Sequence, residues 1–560
     1  MALMDKINNL NECADNTAIY KSYYNDKIYE NIIYLESRNG LDFTGNIFRI
    51  AEELSNGKYG DFRIYVYATK DIKEKIECLI NHYPLNITKV ITDEDEATKV
   101  LHKAKYIFTD SGIRHKYIKK PGQIVTNTWH GTPLKLMGFD NPSEQHTIGI
   151  IQRSFFFSDY ILFPNEYMMD KMSHAYMIDK FYKGTFLLEG YPRNSVFLED
   201  NAIFKEKLNL KGKEVFVYMP TFKGLVNDRK DEQQKNDVDR FLSKLNLKLT
   251  DNQILFVKFH PYNQSKIDFS KYEHIMAYPT DFESYDVLNV ADVLITDYSS
   301  VFFDFASTRR KIIIFNYDQD EYLKDRGLYF PIEDLPFPKV QTVDGLLEEL
   351  NSPKNYDDSE FIDEYCKYDS IDSAEHICDT VINGKESCKT EIINNSNKNI
   401  LIYTGSMEDT QALNQLIEML EHADDNLNIF ISFRPWAGNI KENHIELFEN
   451  IPKNIEFMPI GHNLNPTVNE KIKLNKFVKK GTELDFDLTE MFNRNYKRQY
   501  GDYKFDLIID YVSNDLEHSL TYACSNMNNL IVKNEKTQSK VCNQFNEVCN
   551  LSEFDFNNLF

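Results

Sequence analysis

From Asn31 onward the chain alternates short apolar runs with amphipathic stretches, and this alternation limits the fold more than any other feature of the sequence. Asn31–Leu35, Arg63–Tyr67, Ile87–Ile91, Tyr106–Thr109 and Gln123–Thr128 read as strands, with helices over Thr44–Leu54, Ile72–His82 and Ala97–Ala104 between them. Parallel strands need a crossover long enough to hold a helix, so this pattern predicts an α/β layer with a parallel sheet. A second series begins after Tyr182, with strands at Phe186–Glu189, Val215–Tyr218, Ile254–Phe259, His274–Ala277, Val293–Thr296 and Lys311–Phe315. Helices over Val238–Leu245 and Val301–Ala306 lie among them. Two consecutive doubly wound domains facing a cleft is the simplest arrangement, although pattern alone fits any paired Rossmann-like fold.

The length of 560 residues predicts two or three domains. We expect a peripheral segment over 1–29, a Rossmann-like domain over 30–184, a second over 185–383, a polar linker over 384–398 and an α/β module over 399–560. That module draws its strands from Asn399–Thr404, Leu427–Ser432 and Phe505–Tyr511. A net charge of −23 argues against binding a nucleic-acid backbone through a global positive field. The eight cysteines are scattered without a CxxC pair, which predicts reduced thiols rather than a disulfide framework or a zinc site. No run approaches the ~20 apolar residues of a membrane span, and the first residues lack a secretory pattern. The expectation is a cytoplasmic protein, on its own or against a membrane face.

Three constellations carry chemistry. In Thr126–Pro133 (TNTWHGTP) a strand ends and His130 follows in a Trp-His-Gly turn, before a helix-like run over Leu134–Phe139. Open α/β sheets place ligands at such strand ends, and imidazole accepts an alcohol proton near neutral pH. A turn histidine that satisfies backbone groups is the alternative. In Val257–Tyr262 (VKFHPY), Lys258 and His260 fall on one face of a strand end, where they could neutralise phosphate or simply meet water. In Ala291–Phe305 (ADVLITDYSSVFFDF) a strand stops at Asp297, and Ser299 and Ser300 precede a helix. Serines there cap the helix N–H groups, and the same groups could seat a phosphate. Arg193 in GYPRN, and Thr221 and Lys223 in YMPTFKG, read as solvated turns when each is taken alone.

Taken together, TWHGTPLKLMG, GYPRNSVF, YMPTFKG, KFHP, ADVLITDYSSVFFDFA and DRGLYF resemble the CDP-glycerol glycerophosphotransferase family of teichoic acid synthesis in order and spacing, from about Ile32 to Asp372. The resemblance implies a GT-B fold whose first domain binds the acceptor and whose second binds the CDP part of the donor. It implies that His130 is the catalytic base and that His260 stabilises the donor phosphates or the departing CMP. It places Asp297, Ser299 and Ser300 on the donor, together with Lys258, Thr221, Lys223 and Arg326. The implied reaction moves glycerol phosphate or ribitol phosphate from CDP-glycerol or CDP-ribitol to a lipid-linked or polymeric acceptor, in teichoic acid or capsule synthesis, at the inner membrane face. No acidic metal-binding cluster stands out, so histidine, lysine, arginine and a helix end could carry the charge, the alternative being a divalent cation carried in with the donor. A homo-oligomer is compatible with this reading. The alternative is a nucleotide-sugar glycosyltransferase or epimerase of the same fold, and a third reading is a catalytically retired scaffold.

The chain fits the family only in outline at Glu36–Asp42 (ESRNGLD), where Glu36 and Gly40 match a glutamate and a glycine-containing loop. The family works on lipid-anchored acceptors, and Met168, Met172, Ala175 and Tyr176 share a helical face that reads as core or as a lipid contact. The C-terminal module resembles units of sugar-transferase character through Phe433-Arg434-Pro435 and Tyr496–Asp506. It shows no second WHG-like or DYSS-like block, which predicts a non-catalytic or truncated unit.

Overall fold

The computed structural model describes residues 23–114, 117–221, 238–259, 267–317, 319, 327–406, 410–420, 423, 426–435, 448, 451–452, 455–461, 466–480, 484–511, 516–525, 530–532 and 548–550. The strands run from β1 (Tyr29–Glu36) through β2 (Arg63–Tyr67), β3 (Ile87–Ile91), β4 (Ala104–Thr109), β5 (Ile124–Asn127) and β6 (Tyr160–Phe163) to β7 (Thr185–Leu188). Then come β8 (Glu214–Met219), β9 (Gln253–Val257), β10 (Ile275–Ala277), β11 (Val293–Thr296), β12 (Lys311–Phe315), β13 (Lys339–Val340) and β14 (Lys389–Glu391). The last group is β15 (Lys398–Ser406), β16 (Leu427–Arg434), β17 (Ile455–Pro459), β18 (Leu507–Asp510), β19 (Leu530–Val532) and β20 (Val548–Asn550).

These strands form three sheets, ordered β14-β7-β6-β5-β4-β1-β2-β3, β10-β9-β8-β11-β12-β13 and β17-β16-β15-β18-β19-β20. Each begins the same way: strands one to three step outward, and the fourth returns to the open side of the first. Every pairing is parallel except β14 against β7. This is the doubly wound order, with a crevice where the direction of winding reverses. The strands read as near-continuous apolar runs because both faces are covered; all five residues of β12 (KIIIF) are buried. The helix Asn46–Ser55 turns Ile47, Phe48, Ile50, Ala51 and Leu54 onto the first sheet. Asn165 caps the helix Glu166–Ala175 by accepting from Met168 N at 2.7 Å.

Several expectations change. The strand expected to open the second unit closes the first, because Thr185–Leu188 pairs with Tyr160–Phe163 across a single helical crossover. The polar stretch 384–398 contains β14, which adds an antiparallel edge to that same sheet. The run Leu134–Phe139 is no helix. Lys135 forms an antiparallel bridge with Leu328, Leu136 N donates to Gly327 O at 3.0 Å and Tyr329 N to Leu134 O at 2.9 Å. Its apolar side chains are periodic, yet its backbone finds partners across the two units. Met168, Met172, Ala175 and Tyr176 are buried in the core of the first unit, so the lipid-contact reading of that stripe is overturned. Among the described residues, no helix is long and apolar enough to cross a membrane.

The first two units are tied at several points. Gly45 N donates to Glu283 Oε1 at 2.8 Å, and Arg49 pairs with Glu283 and Asp286. The helix Ser373–Asn383 follows the second sheet but returns to the first unit, where Lys58 meets Glu375 at 2.5 Å. The third sheet docks on the first unit through Phe181, which stacks on Phe505 at 4.9 Å and packs against Phe430 and Tyr503. Arg153 Nε donates to Arg498 O at 2.7 Å and Gln152 Nε2 to Phe457 O at 2.9 Å. One apolar core runs without a break through both.

Candidate active site

The site forms where the strand ends of the first two sheets meet. Past β5 the chain turns sharply: Trp129 takes φ 50°, a left-handed backbone that a bulky residue adopts only under constraint. Its N–H donates to Asn127 Oδ1 at 2.9 Å, and its ring packs on Phe155 and Tyr176. That turn presents His130, whose ring stacks on Trp129 at 4.5 Å.

His130 Nδ1 lies 2.7 Å from Asp110 O. A carbonyl only accepts, so Nδ1 carries the proton and the neutral ring keeps its lone pair on Nε2. The Asp110 carboxylate is itself fixed, accepting from Ser37 Oγ at 2.6 Å and Arg38 N at 2.7 Å. His130 is exposed at the mouth of the site, while Trp129 and Asp110 pack against its ring and desolvate it from the protein side. This desolvation lowers its pKa from the ordinary imidazole value; Asp110 opposes the shift, while Arg38 and Arg193 add to it. The imidazole is therefore neutral at neutral pH and suited to accept a proton.

Next to it, Gly131 touches the second unit. A Cβ built there would lie 2.8 Å from Ser300 Oγ, so a side chain at this position would force Ser300 to move. Arg193 bolts the contact. Its Nη1 donates to His130 O at 3.0 Å and its Nη2 to Asp304 Oδ2 at 2.8 Å. Tyr285 also donates to Asp304 at 2.8 Å. Burial works against the Arg193 charge, and Asp304, followed by Tyr285 and Tyr191, more than restores it. The reading of Arg193 as a solvated turn is thus overturned: it is buried, because its carboxylate partner arrives from a distant part of the chain.

On the second sheet, Thr221, Lys258 and Asp297 follow the ends of three adjacent strands, β8, β9 and β11. Asp297 Oδ1 accepts from Thr221 N at 2.7 Å and Thr221 Oγ1 at 2.6 Å, across the crevice between β8 and β11. Burial raises the Asp297 pKa and the Thr221 bonds oppose that shift. The helix Val301–Phe305 is short, and Ser300 makes no side-chain cap bond, contrary to the capping role expected of it. Ser299 and Ser300 are both half-buried at this turn. Lys258 Nζ bonds Ser284 Oγ, and burial brings its pKa down to about 8, opposed by Asp42 of the first unit. Lys223, His260 and Arg326 lie outside the described residues; Gly327, next to Arg326, is held against Leu134–Leu136.

The sequence analysis missed Asp110, Arg38, Asp42, Asp304 and Lys135. Asp110 works through its main-chain carbonyl, which no residue type advertises. Lys135 sits close enough to Asp297 to lower its pKa, and its place within the TPLKLMG block was the available signal. Among the described residues, one group has metal-ligand spacing, Asp251, Glu273 and His274. It adjoins the starts of β9 and β10, away from the strand ends that carry the site.

Two doubly wound parallel sheets whose facing turns touch at Gly131 and Ser300 define a fold of GT-B type. Residues 18–383 match the family CDP-Glycerol:Poly(glycerophosphate) glycerophosphotransferase, and the chain belongs to that family. It is 28% identical over 380 residues to a teichoic acid poly(glycerol phosphate) polymerase of Bacillus spizizenii, a match covering 63% of this chain and 92% of that protein. It is 26% identical over 376 residues to a teichoic acid poly(ribitol-phosphate) polymerase of the same organism, covering 63% of this chain and 56% of that one. In fold it resembles the wall teichoic acid polymerase TagF, with a TM-score of 0.57 at 23% identity over 68% of this chain and 94% of that structure. The family match ends before the third sheet begins.

Proposed function

We propose that this chain transfers glycerol phosphate or ribitol phosphate from its CDP-activated form to a hydroxyl of a lipid-linked or polymeric acceptor, releasing CMP. The reading is supported above all by the approach of Gly131 to Ser300, which sets the base beside the turn expected to hold the donor. The acceptor oxygen attacks the donor's β-phosphorus in line while His130 Nε2 takes its proton. The new O–P bond forms as the P–O bond to CMP breaks, and the electron pair leaves with CMP. Such transfer depends on positioning and on cations near the equatorial oxygens. Lys258 supplies one such charge, Ser299 and Ser300 donate to the diphosphate, and Asp297 holds Thr221 in place. His260, Lys223 and Arg326 belong to the same donor pocket in this proposal, with His260 at the departing CMP. The product is a teichoic acid or capsule-type polymer, made at the inner face of the cell membrane.

Relatives named for glycerol phosphate polymers reach 32% identity and one named for a ribitol phosphate polymer 26%, a difference too small to fix the donor, which needs direct measurement. Purified protein is incubated with labelled CDP-glycerol, CDP-ribitol or a UDP-sugar and a polyol-phosphate acceptor, and CMP release and product length are followed. CMP release with one CDP-polyol supports the proposal. Turnover of the UDP-sugar alone contradicts it.

A further inference from the structure

The crevice between the first and fourth strands is the place where open α/β sheets take ligands, and all three sheets have one. In each, an aspartate marks the end of the fourth strand: Asp110 follows β4, Asp297 follows β11 and Asp510 closes β18. Asp510-Tyr511 also repeats Asp297-Tyr298 in sequence. In the first two sheets this carboxylate orders the turn leaving the first strand, through Ser37 and Arg38 in one and Thr221 in the other. Asp510 is buried level with Tyr403 of β15 and accepts from Ser519 of the helix Leu516–Ala523.

A polar cluster adjoins it through Tyr403. Arg434 ends β16, half-buried, and donates through Nη2 to His518 Nδ1 at 2.8 Å. The His518 ring lies flat on Tyr403, centroids 4.9 Å apart and planes 4° from parallel. His518 accepts from a guanidinium and so is neutral; burial, and then Arg434, bring its pKa down to about 3. Beneath, Ser432, Tyr500 and Tyr522 form a chain of hydroxyls, 2.8 and 3.3 Å apart. Gly405, at φ 72°, takes the left-handed backbone at the end of β15. Buried charge and hydroxyls stabilise a core poorly compared with apolar packing, so this concentration at a ligand-binding position calls for a ligand.

The chemistry of the ligand follows from Arg434. In dinucleotide-binding sheets the second strand leads to an acid that reads ribose hydroxyls. Here it ends on arginine, whose planar fork suits phosphate oxygens. From the start of β15 to the end of the following helix, Thr410–Leu420, Gly405 is the sole glycine, so the three-glycine dinucleotide turn is absent.

We propose that the crevice of the third sheet binds a phosphate-bearing small molecule, with Arg434 as its anion contact in a frame of Tyr403, His518 and Asp510. The C-terminal unit is then a second ligand-binding module. The site rests on the third sheet alone and stands or falls independently of the donor assignment.

Calorimetric titration of the full chain with UDP, CMP and inorganic pyrophosphate tests it, using wild type, Arg434→Gln, Arg434→Lys and the double variant Ser299→Ala/Ser300→Ala. Wild type and the serine variant are expected to share a site that Arg434→Gln weakens about tenfold or more, and that Arg434→Lys partly restores. Transfer from CDP-glycerol stays unchanged in Arg434→Gln. A response to nucleotides alone makes the ligand a nucleotide, whereas equal binding of pyrophosphate shows that the phosphate group alone is recognised; either outcome supports the site. In wild type, a saturating probe should also slow amide exchange over 401–405 and 507–511. Identical binding by wild type and Arg434→Gln overturns the proposal. So does a sole binding event that vanishes in the serine variant, or unchanged exchange over those residues.

Discussion

His130 owes its readiness to a main-chain carbonyl rather than to an acid. Asp110 O holds the proton on Nδ1, and desolvation, joined by Arg38 and Arg193, keeps the ring neutral against the opposing charge of Asp110. His130→Ala should lower turnover about a hundred- to ten-thousandfold while leaving CDP affinity nearly unchanged, as equilibrium binding beside initial rates will report. The pH profile follows from two shifts. In the proposed mechanism His130 works deprotonated, and its pKa is lowered from the ordinary ~6.5, so the acid limb of kcat/KM should fall below that value. In the same mechanism Lys258 works protonated and loses charge as pH rises through about 8, so the alkaline limb should lie there. Lys258→Arg should remove the alkaline limb and leave the acid limb in place, because arginine stays charged. His130, Asp297 and the serine pair were legible in the sequence because each lies in a strand-to-loop motif with its own residue types. Asp110 and Arg193 were not. The first acts through its backbone, and the second meets Asp304 only when two sheets fold together.

At the scale of elements, the contact between the WHG turn and the DYSS turn carries the site. Gly131→Ala would place a methyl group against Ser300 and should cost about 1–3 kcal/mol, read as a shift in chemical denaturation midpoint. It should also raise KM for the CDP donor, since the displaced loop carries Ser299 and Ser300. Arg193→Met removes one side of a buried ion pair and leaves Asp304 uncompensated; a loss of about 3–5 kcal/mol is expected in the same assay. Most strands could be read from their apolar runs, because a parallel strand covered on both faces has few polar residues. Assigning each to a sheet was harder. Thr185–Leu188 looks like the start of a new series but completes the old one, since strand pairing depends on crossovers and not on local composition. The run Leu134–Phe139 failed as a helix because its backbone bonds reach Gly327 and Tyr329, nearly two hundred residues away.

In the whole molecule, three sheets repeat one winding order, and the third shares an apolar core with the first. The sequence hinted at this echo only through its strand pattern; the shared order emerges from pairings that no local motif encodes. The C-terminal unit is consequently a fixed part of the enzyme. Phe181→Ala, at the centre of the aromatic seam with Phe430, Tyr503 and Phe505, should cost about 3–5 kcal/mol and speed proteolysis between the first and third sheets. Intact resistance to protease in that variant would argue that the seam is incidental.

The central claim is that loops from two sheets converge on a single donor. The structure of the His130→Ala variant with bound CDP-glycerol tests it most directly. The account predicts the diphosphate within hydrogen-bonding distance of Ser299 or Ser300, and the glycerol-bearing phosphorus facing residue 130. A nucleotide bound away from both turns would contradict it.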